Sequence, residues 1–205
     1  KNFLSWGEAE VNFNEDGLFL ISGINLDAAS SDSNGSGKTS LLESIIWCIY
    51  GNPFRDIESK DSIIRNGAKG GCLVSVEFSN ESGTYRVDRY RKEIERGTGV
   101  SIFKKSENGE FVDISRGSIA NTDTQIVDVI GLPYDLFNTV TYFSSHNNSR
   151  FTTLGDVDRK KFLSKLFPSL NSFFTISKPG TAFFNNTQLC CHINNITGLA
   201  NAFVI

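Results

Sequence analysis

The sequence predicts an α/β fold organised around a phosphate-binding loop, with an antiparallel β-rich subregion beside it. Three observations carry that expectation. An apolar segment, "GLFLISG" at 17–23, runs through a polar loop into "NGSGKTS" at 34–40, and an apolar helical stripe follows directly. Between residues 72 and 115 four segments alternate polar and apolar residues and are separated by glycine-containing turns. Two more segments, around 122–132 and 154–167, have helical spacing.

In chain order, "KNFLSW", "AEVNF" and "GLFLISG" read as short strands of a hairpin meander, broken by "GE" and "NEDG". The loop "INLDAASSDSNGSG" comes next. Leu41, Leu42, Ile45, Ile46 and Ile49 then form the stripe of a buried helix, which begins at Thr39-Ser40 and ends at Gly51-Asn52-Pro53. In "CLVSVEFS", Leu73, Ser75 and Glu77 alternate with Val74, Val76 and Phe78. In "TYRVDRYRKEI", Tyr85, Val87 and Arg89 alternate with Arg86, Asp88 and Tyr90. "GVSIFKK" and "GEFVDIS" complete this region. "TDTQIVDVIGL" is predicted helical with Ile126, Val129 and Ile130 on one side. "LGDVDRKKFLSKLF" is predicted amphipathic, with Phe162, Leu163, Leu166 and Phe167 on its apolar face.

Composition changes at Pro168. From Ser169 to Ile205 the one charged residue is Lys178, while Phe and Asn recur in pairs and Pro179-Gly180 breaks any helix. The predicted organisation is therefore one region over 1–168 and an atypical tail over 169–205, either a lineage-specific ending or translation beyond the true frame.

Hydrophobic content of 39% with 12% aromatics supports a packed core. No run approaches the roughly 18 apolar residues of a membrane span, and the first residues lack the layout of a secretory signal. Cys48, Cys72, Cys190 and Cys191 show no disulfide-framework spacing, which suits reduced thiols in a cytoplasm. His146 and His192 alone offer little to a zinc site or a Ser/His/Asp triad. With net charge −3, any nucleic-acid contact needs a local basic patch. Arg86, Arg89, Arg91, Lys92, Lys104 and Lys105 are one candidate strip, but Asp88, Glu93 and Glu95 dilute its field and favour a solvated sheet face.

The loop at 34–40 holds the chemistry. Backbone N–H groups at a helix start point outward, and the helix dipole is positive there. Glycines allow close wrapping, a lysine adds charge, and a Ser or Thr hydroxyl ligates Mg²⁺. Asn34, Gly35, Ser36, Gly37, Lys38, Thr39 and Ser40 supply these parts in order. The full pattern wants glycine at position 32, where Asp32 stands. Asp tolerates left-handed backbone angles, so the loop still closes, provided that its carboxylate turns away from the phosphates.

The flanks of this loop resemble the N-terminal ATPase segment of SMC-like DNA repair proteins, the SbcC-type large subunits of phage and bacterial recombination nucleases. The resemblance rests on "NF" near the start, "NGSGKTSLLESIIWCIYG", "SIIRNGAKGGCLVSVEFS", "IVDVIGLPYDLFNTV" and "DRKKFLSKLFP", in family order across residues 2 to 168. It implies the N-terminal half of a P-loop NTPase head of the ABC/SMC type. Asn34 to Thr39 would cradle ATP, Lys38 would neutralise the β- and γ-phosphates, and Thr39 would ligate Mg²⁺. Ser5, Trp6 and Arg65 of the "IRNG" loop fall where the family approaches base and sugar. The family's Mg²⁺-sensing glutamine follows an "F…V" strand, and here Ser145 aligns with it, beside His146.

The family's zinc-hook CxxC, "LSGG" signature, Walker B acids and catalytic glutamate come from distant parts of a longer chain, and none occurs in these 205 residues. The implied activity is ATP binding that gates access of an SbcD-like nuclease to double-stranded DNA ends, in a head-to-head dimer within a bacterial or phage-infected cell, with no membrane role. Hydrolysis would need the C-terminal half. A non-hydrolysing regulatory or inactive fragment, or a transporter-type ABC ATPase, are the alternatives. Half of a composite sheet leaves apolar surface uncovered, so 1–168 alone is predicted to be poorly soluble.

Overall fold

The computed structural model describes residues 1–13, 19–24, 36–53, 55, 57–140 and 154–166. The chain divides into two units, residues 1–12 with 20–131, and residues 13–19 with 132–205. The boundary expected at 168 and the tail beyond it lie outside the described residues.

In the first unit, helix α1 (Lys38–Tyr50) is followed by a 3₁₀ turn over Lys60–Ile63 and a four-stranded antiparallel meander. Its strands are β1 (Cys72–Asn80), β2 (Gly83–Glu93), β3 (Gly97–Lys105) and β4 (Phe111–Asp113), in spatial order β1-β2-β3-β4. Helix α2 (Ile119–Ile130) closes the unit. The α/β class and the antiparallel subregion are as expected. Among the described residues before α1, however, the expected strands are reduced to isolated bridges, Phe3 to Trp6 and Phe3 to Ile64. Pairing there is by single residues because the chain reverses within Asn2–Gly7, where Asn2 N–H donates to the Gly7 carbonyl at 2.7 Å.

The sheet alternation follows the pleat. Val74, Tyr85, Val87, Val100 and Ile102 are buried, while Ser75 and Glu77 face outward. The Asn80↔Gly83 pair closes β1 and β2 over a two-residue turn, in which Asn80 Oδ1 accepts from Ser82 N–H at 2.9 Å. A register shift between Tyr90 and Glu93 coincides with Lys92 at φ 48°, a β-bulge that brings Lys92 and Arg91 onto Asp61 at 2.6 Å each. These two cations hold the Asp61 carboxyl below its ordinary pKa.

Helix α1 packs on β1, β2 and α2. The expected stripe is displaced: Ile46, Trp47, Cys48, Ile49 and Tyr50 are all buried, whereas Leu41, Leu42 and Ile45 are half-buried. The C-terminal half of the helix is sandwiched between the sheet and α2, so it is apolar nearly all round. Phe3 stacks obliquely on Trp47, with ring centroids 5.4 Å apart. Helix α2 starts at Ser118, whose side chain accepts from Asn121 N–H at 3.2 Å, and ends at Gly131 in the left-handed region. Its buried row is Thr122, Ile126 and Ile130, with Val129 at the margin. Leu20, Ile24 and Ile94 are largely exposed.

In the second unit, α3 (Tyr134–Val140) contains Phe137 to Val140, where the family resemblance implies a strand. Helix α4 (Asp156–Leu166) occupies most of the predicted amphipathic segment, with Phe162 and Leu163 half-buried. Acids open it and Lys165 closes it, in keeping with the helix dipole. Phe167 lies outside the described residues.

Candidate nucleotide-binding site

Helix α1 begins without the usual side-chain acceptor. Its N-cap is Gly37, at φ 90° and ψ 5°, which has no side chain to cap the first turn, and among the described residues no other side chain does so. The first turn also holds no acidic residue. A helix start that carries neither carboxylate nor polar cap keeps its positive end for an external anion. Lys38 Nζ lies 3.2 Å from Ser36 Oγ, so the ammonium turns back past the N-cap toward the residue that precedes it. Thr39 is exposed, so its hydroxyl can reach a ligand or a cation, whereas Ser40 is buried at 6% exposure. Asn34 and Gly35 lie outside the described residues, as do Ser145 and His146.

Three segments that are distant in sequence converge here. The turn at Asn2–Gly7 is tied to the loop after the 3₁₀ turn: Leu4 N–H donates to the Ile63 carbonyl at 2.7 Å, and Arg65 N–H donates to the Asn2 carbonyl at 2.9 Å. This places Ser5 and Trp6 against the start of α1, where Trp6 Nε1 donates to the Gly37 carbonyl at 2.9 Å. A methyl group at Gly37 would lie 2.8 Å from Ser5 Oγ and 3.1 Å from Trp6 Nε1, so glycine is needed there for space as well as for backbone angle. Arg65 is exposed, and its guanidinium passes over Gly7, where a Cβ would come within 3.2 Å of Nη1. Among the described residues it makes no ion pair, which leaves its charge available. Ser5 and Trp6 thus stand beside the helix start, and Arg65 stands on backbone bonded to the same turn.

Gly23, at the end of the apolar segment before the loop, is equally constrained, because a Cβ there would overlap Ser36 Oγ. Nothing in the sequence alone separates it from an ordinary turn glycine. Glu43, one turn beyond Thr39, is 2% exposed, and Arg55 grips both of its oxygens at 3.0 and 2.8 Å. In sequence it looks like a solvated helix glutamate.

The basic strip dissolves into local pairs. Arg89 is buried and bonded to the carbonyls of Cys48 and Ile49 and to Asp123. Arg91 and Lys92 hold Asp61. Arg86 lies over the rings of Phe103 and Phe111 and within 3.4 Å of Asp88.

A family described as an AAA domain matches residues 1–177. Among curated proteins, the chain is 28% identical to the DNA double-strand break repair Rad50 ATPase of Sulfolobus acidocaldarius over 141 residues, 69% of this chain and 14% of that protein. It is 34% identical to the SbcC component of the nuclease SbcCD of Deinococcus radiodurans over 106 residues, 50% of this chain and 11% of that protein. It is 26% identical to exonuclease subunit 2 of Enterobacteria phage T4 over 168 residues, 81% of this chain and 27% of that protein. The chain therefore spans 11% to 27% of the length of these three relatives. A P-loop helix start, a four-stranded antiparallel sheet beside it and a match over most of the sequence agree: the chain belongs to the AAA domain family of P-loop NTPases, as an N-terminal segment of the SMC-like SbcC/Rad50 type.

Proposed function

We propose that this chain is the ATP-binding N-terminal portion of the ATPase subunit of a DNA recombination or repair exo-endonuclease. In that reading ATP governs the access of an SbcD-like nuclease subunit to double-stranded DNA ends. The observation that carries it is the glycine-capped start of α1 at Gly37, with no acidic residue in its first turn and with Lys38 and Thr39 on it, in a chain similar to repair ATPases.

Bound ATP–Mg²⁺ supplies the triphosphate charge and the cation that this arrangement suits. Asn34 to Gly37 wrap the phosphates through backbone N–H groups, and the Lys38 ammonium neutralises the β- and γ-phosphates. The Thr39 hydroxyl ligates Mg²⁺, while the buried Ser40 contributes through its backbone N–H. Ser145, or His146 beside it, takes the part of the family's Mg²⁺-sensing glutamine through a bridging water. Ser5, Trp6 and Arg65 form the nucleoside side. Turnover requires a C-terminal half bearing the signature and Walker B residues, within a head-to-head dimer in the cytoplasm of a bacterial or phage-infected cell. By themselves these residues bind ATP without robust hydrolysis, which also fits a regulatory fragment.

Titration of the pure chain with fluorescently labelled ATP and Mg²⁺, with Lys38→Ala as control, tests the site. Saturable binding that is lost in the variant is expected, and equal binding by both overturns the assignment. Capture of an SbcD-like nuclease together with a C-terminal half separates the nuclease-complex reading from a transporter-type ATPase, which would not bind it.

A further inference from the structure

We propose that Trp6 is a positioning residue of the nucleotide site, its indole N–H holding the Gly37 carbonyl so that the first-turn amides of α1 stay directed at the ligand. The inference rests on the nucleotide-site reading above. An ordinary N-cap side chain supplies an acceptor to the first-turn N–H groups and so competes with an anion for them. Here the capping contact has the opposite polarity. Trp6 Nε1 is a donor and takes the carbonyl of the N-cap residue at 2.9 Å, while Gly37 itself has no side chain to place on the amides.

The Gly37 carbonyl also accepts the first intrahelical bond, from Leu41 N–H at 3.1 Å. One oxygen therefore joins the indole to the helix ladder. The ring is itself held in place. Trp6 N–H donates to the Phe3 carbonyl at 2.8 Å, and Leu4 sustains a left-handed φ of 47° within that turn. Such a conformation is disfavoured for a non-glycine residue and persists because its surroundings impose it. Phe3, 2% exposed, packs on Trp47 of the same helix. The turn thus grips α1 at two points, at its apolar flank through Phe3 and at its start through Trp6.

The test uses the full 205-residue chain, Mg²⁺ and fluorescently labelled ATP. Trp6→Phe keeps a ring and removes the N–H, and should weaken binding roughly threefold to tenfold, the worth of one hydrogen bond. A merely structural tryptophan is separated by a second readout. With 5-fluorotryptophan incorporated, Trp6 and Trp47 give two ¹⁹F resonances, assigned by Trp6→Phe, or by Trp47→Phe should the first variant not fold. Saturation with ATP–Mg²⁺ should shift the Trp6 resonance and leave that of Trp47. Binding by the parent with unchanged affinity in Trp6→Phe overturns the inference alone, and so does a Trp6 resonance that stays fixed at saturation. No binding by the parent overturns the nucleotide site itself, and the inference with it.

Discussion

Arg89 Nε donates a 2.8 Å hydrogen bond to the carbonyl oxygen of Cys48, so a strand arginine closes the C-terminal end of α1. The helix has no basic residue in its last turn, and Gly51 N–H satisfies the Trp47 carbonyl at 2.8 Å. Arg89 answers two of the remaining carbonyls and carries its charge onto Asp123. Arg89→Met removes all three partners and leaves buried carbonyls unsatisfied. It should cost about 3 kcal/mol in urea unfolding. Asp123, with a side chain 35% exposed, is less demanding, and Asp123→Asn should cost about 1 kcal/mol. Equal losses from the two variants would contradict this division of roles.

Glu43 and Arg55 are unequal partners, since the carboxylate side chain is 3% exposed and the guanidinium 45%. Arg55→Ala strands a buried charge and should destabilise by about 3 kcal/mol. Glu43→Leu releases the arginine to solvent and fills the space with carbon, so it should cost much less. The double variant should accordingly be more stable than Arg55→Ala alone in thermal melts. A double variant no better than that single one would show that the pair is not what keeps the carboxylate buried.

Gly37→Ala meets both a left-handed backbone and the Ser5 hydroxyl. Labelled ATP should bind it about tenfold more weakly or worse, because the turn at Asn2–Gly7 must retreat from the loop. Gly109→Ala is the control. Gly109 has φ 85° with nothing within 4 Å, so this change strains a surface turn without touching the site. Equal affinity in the two variants would rule out the steric argument.

Two thiols make the fold sensitive to alkali. Burial pushes Cys48 up from its ordinary value of 9.0 to about 12, and its Sγ sits 3.2 Å from the Val74 carbonyl. Burial likewise pushes Cys72 up to about 11. Below pH 9 both states keep these protons, and stability is unaffected. Above it the unfolded chain ionises first and binds fewer protons, so stability falls as pH climbs toward the folded values. The slope approaches about 1.4 kcal/mol per pH unit for each thiol. Cys48→Ala should flatten the decline in stability between pH 9 and 11. An unchanged slope would mean that the decline has another source.

The sequence by itself determined the features whose signals are local. Glycines and a lysine beside an apolar stripe announce the loop-to-helix junction. Alternation between Cys72 and Asp113 announces four strands, because neighbouring side chains must point to opposite faces of a pleat. The basic strip is less legible: its interleaved acids suggest a solvated face, yet Arg89 is buried on Asp123, and Arg91 and Lys92 are held by Asp61 rather than by Glu93 or Glu95. Among the described residues before α1 the expected strand meander is not found, and at Asn2–Gly7 β-propensity yields to a six-residue reversal anchored on Ile63.

Only the tertiary structure decided which distant groups meet. Arg89 stands 41 positions from Cys48, and Trp6 stands 31 from Gly37. Neither separation carries a periodic trace, so nothing in the composition distinguishes a capping arginine from a solvated one. Each partnership forms because a carbonyl at a helix end, once buried or held, must find a donor, and packing settles which side chain is near enough to give it.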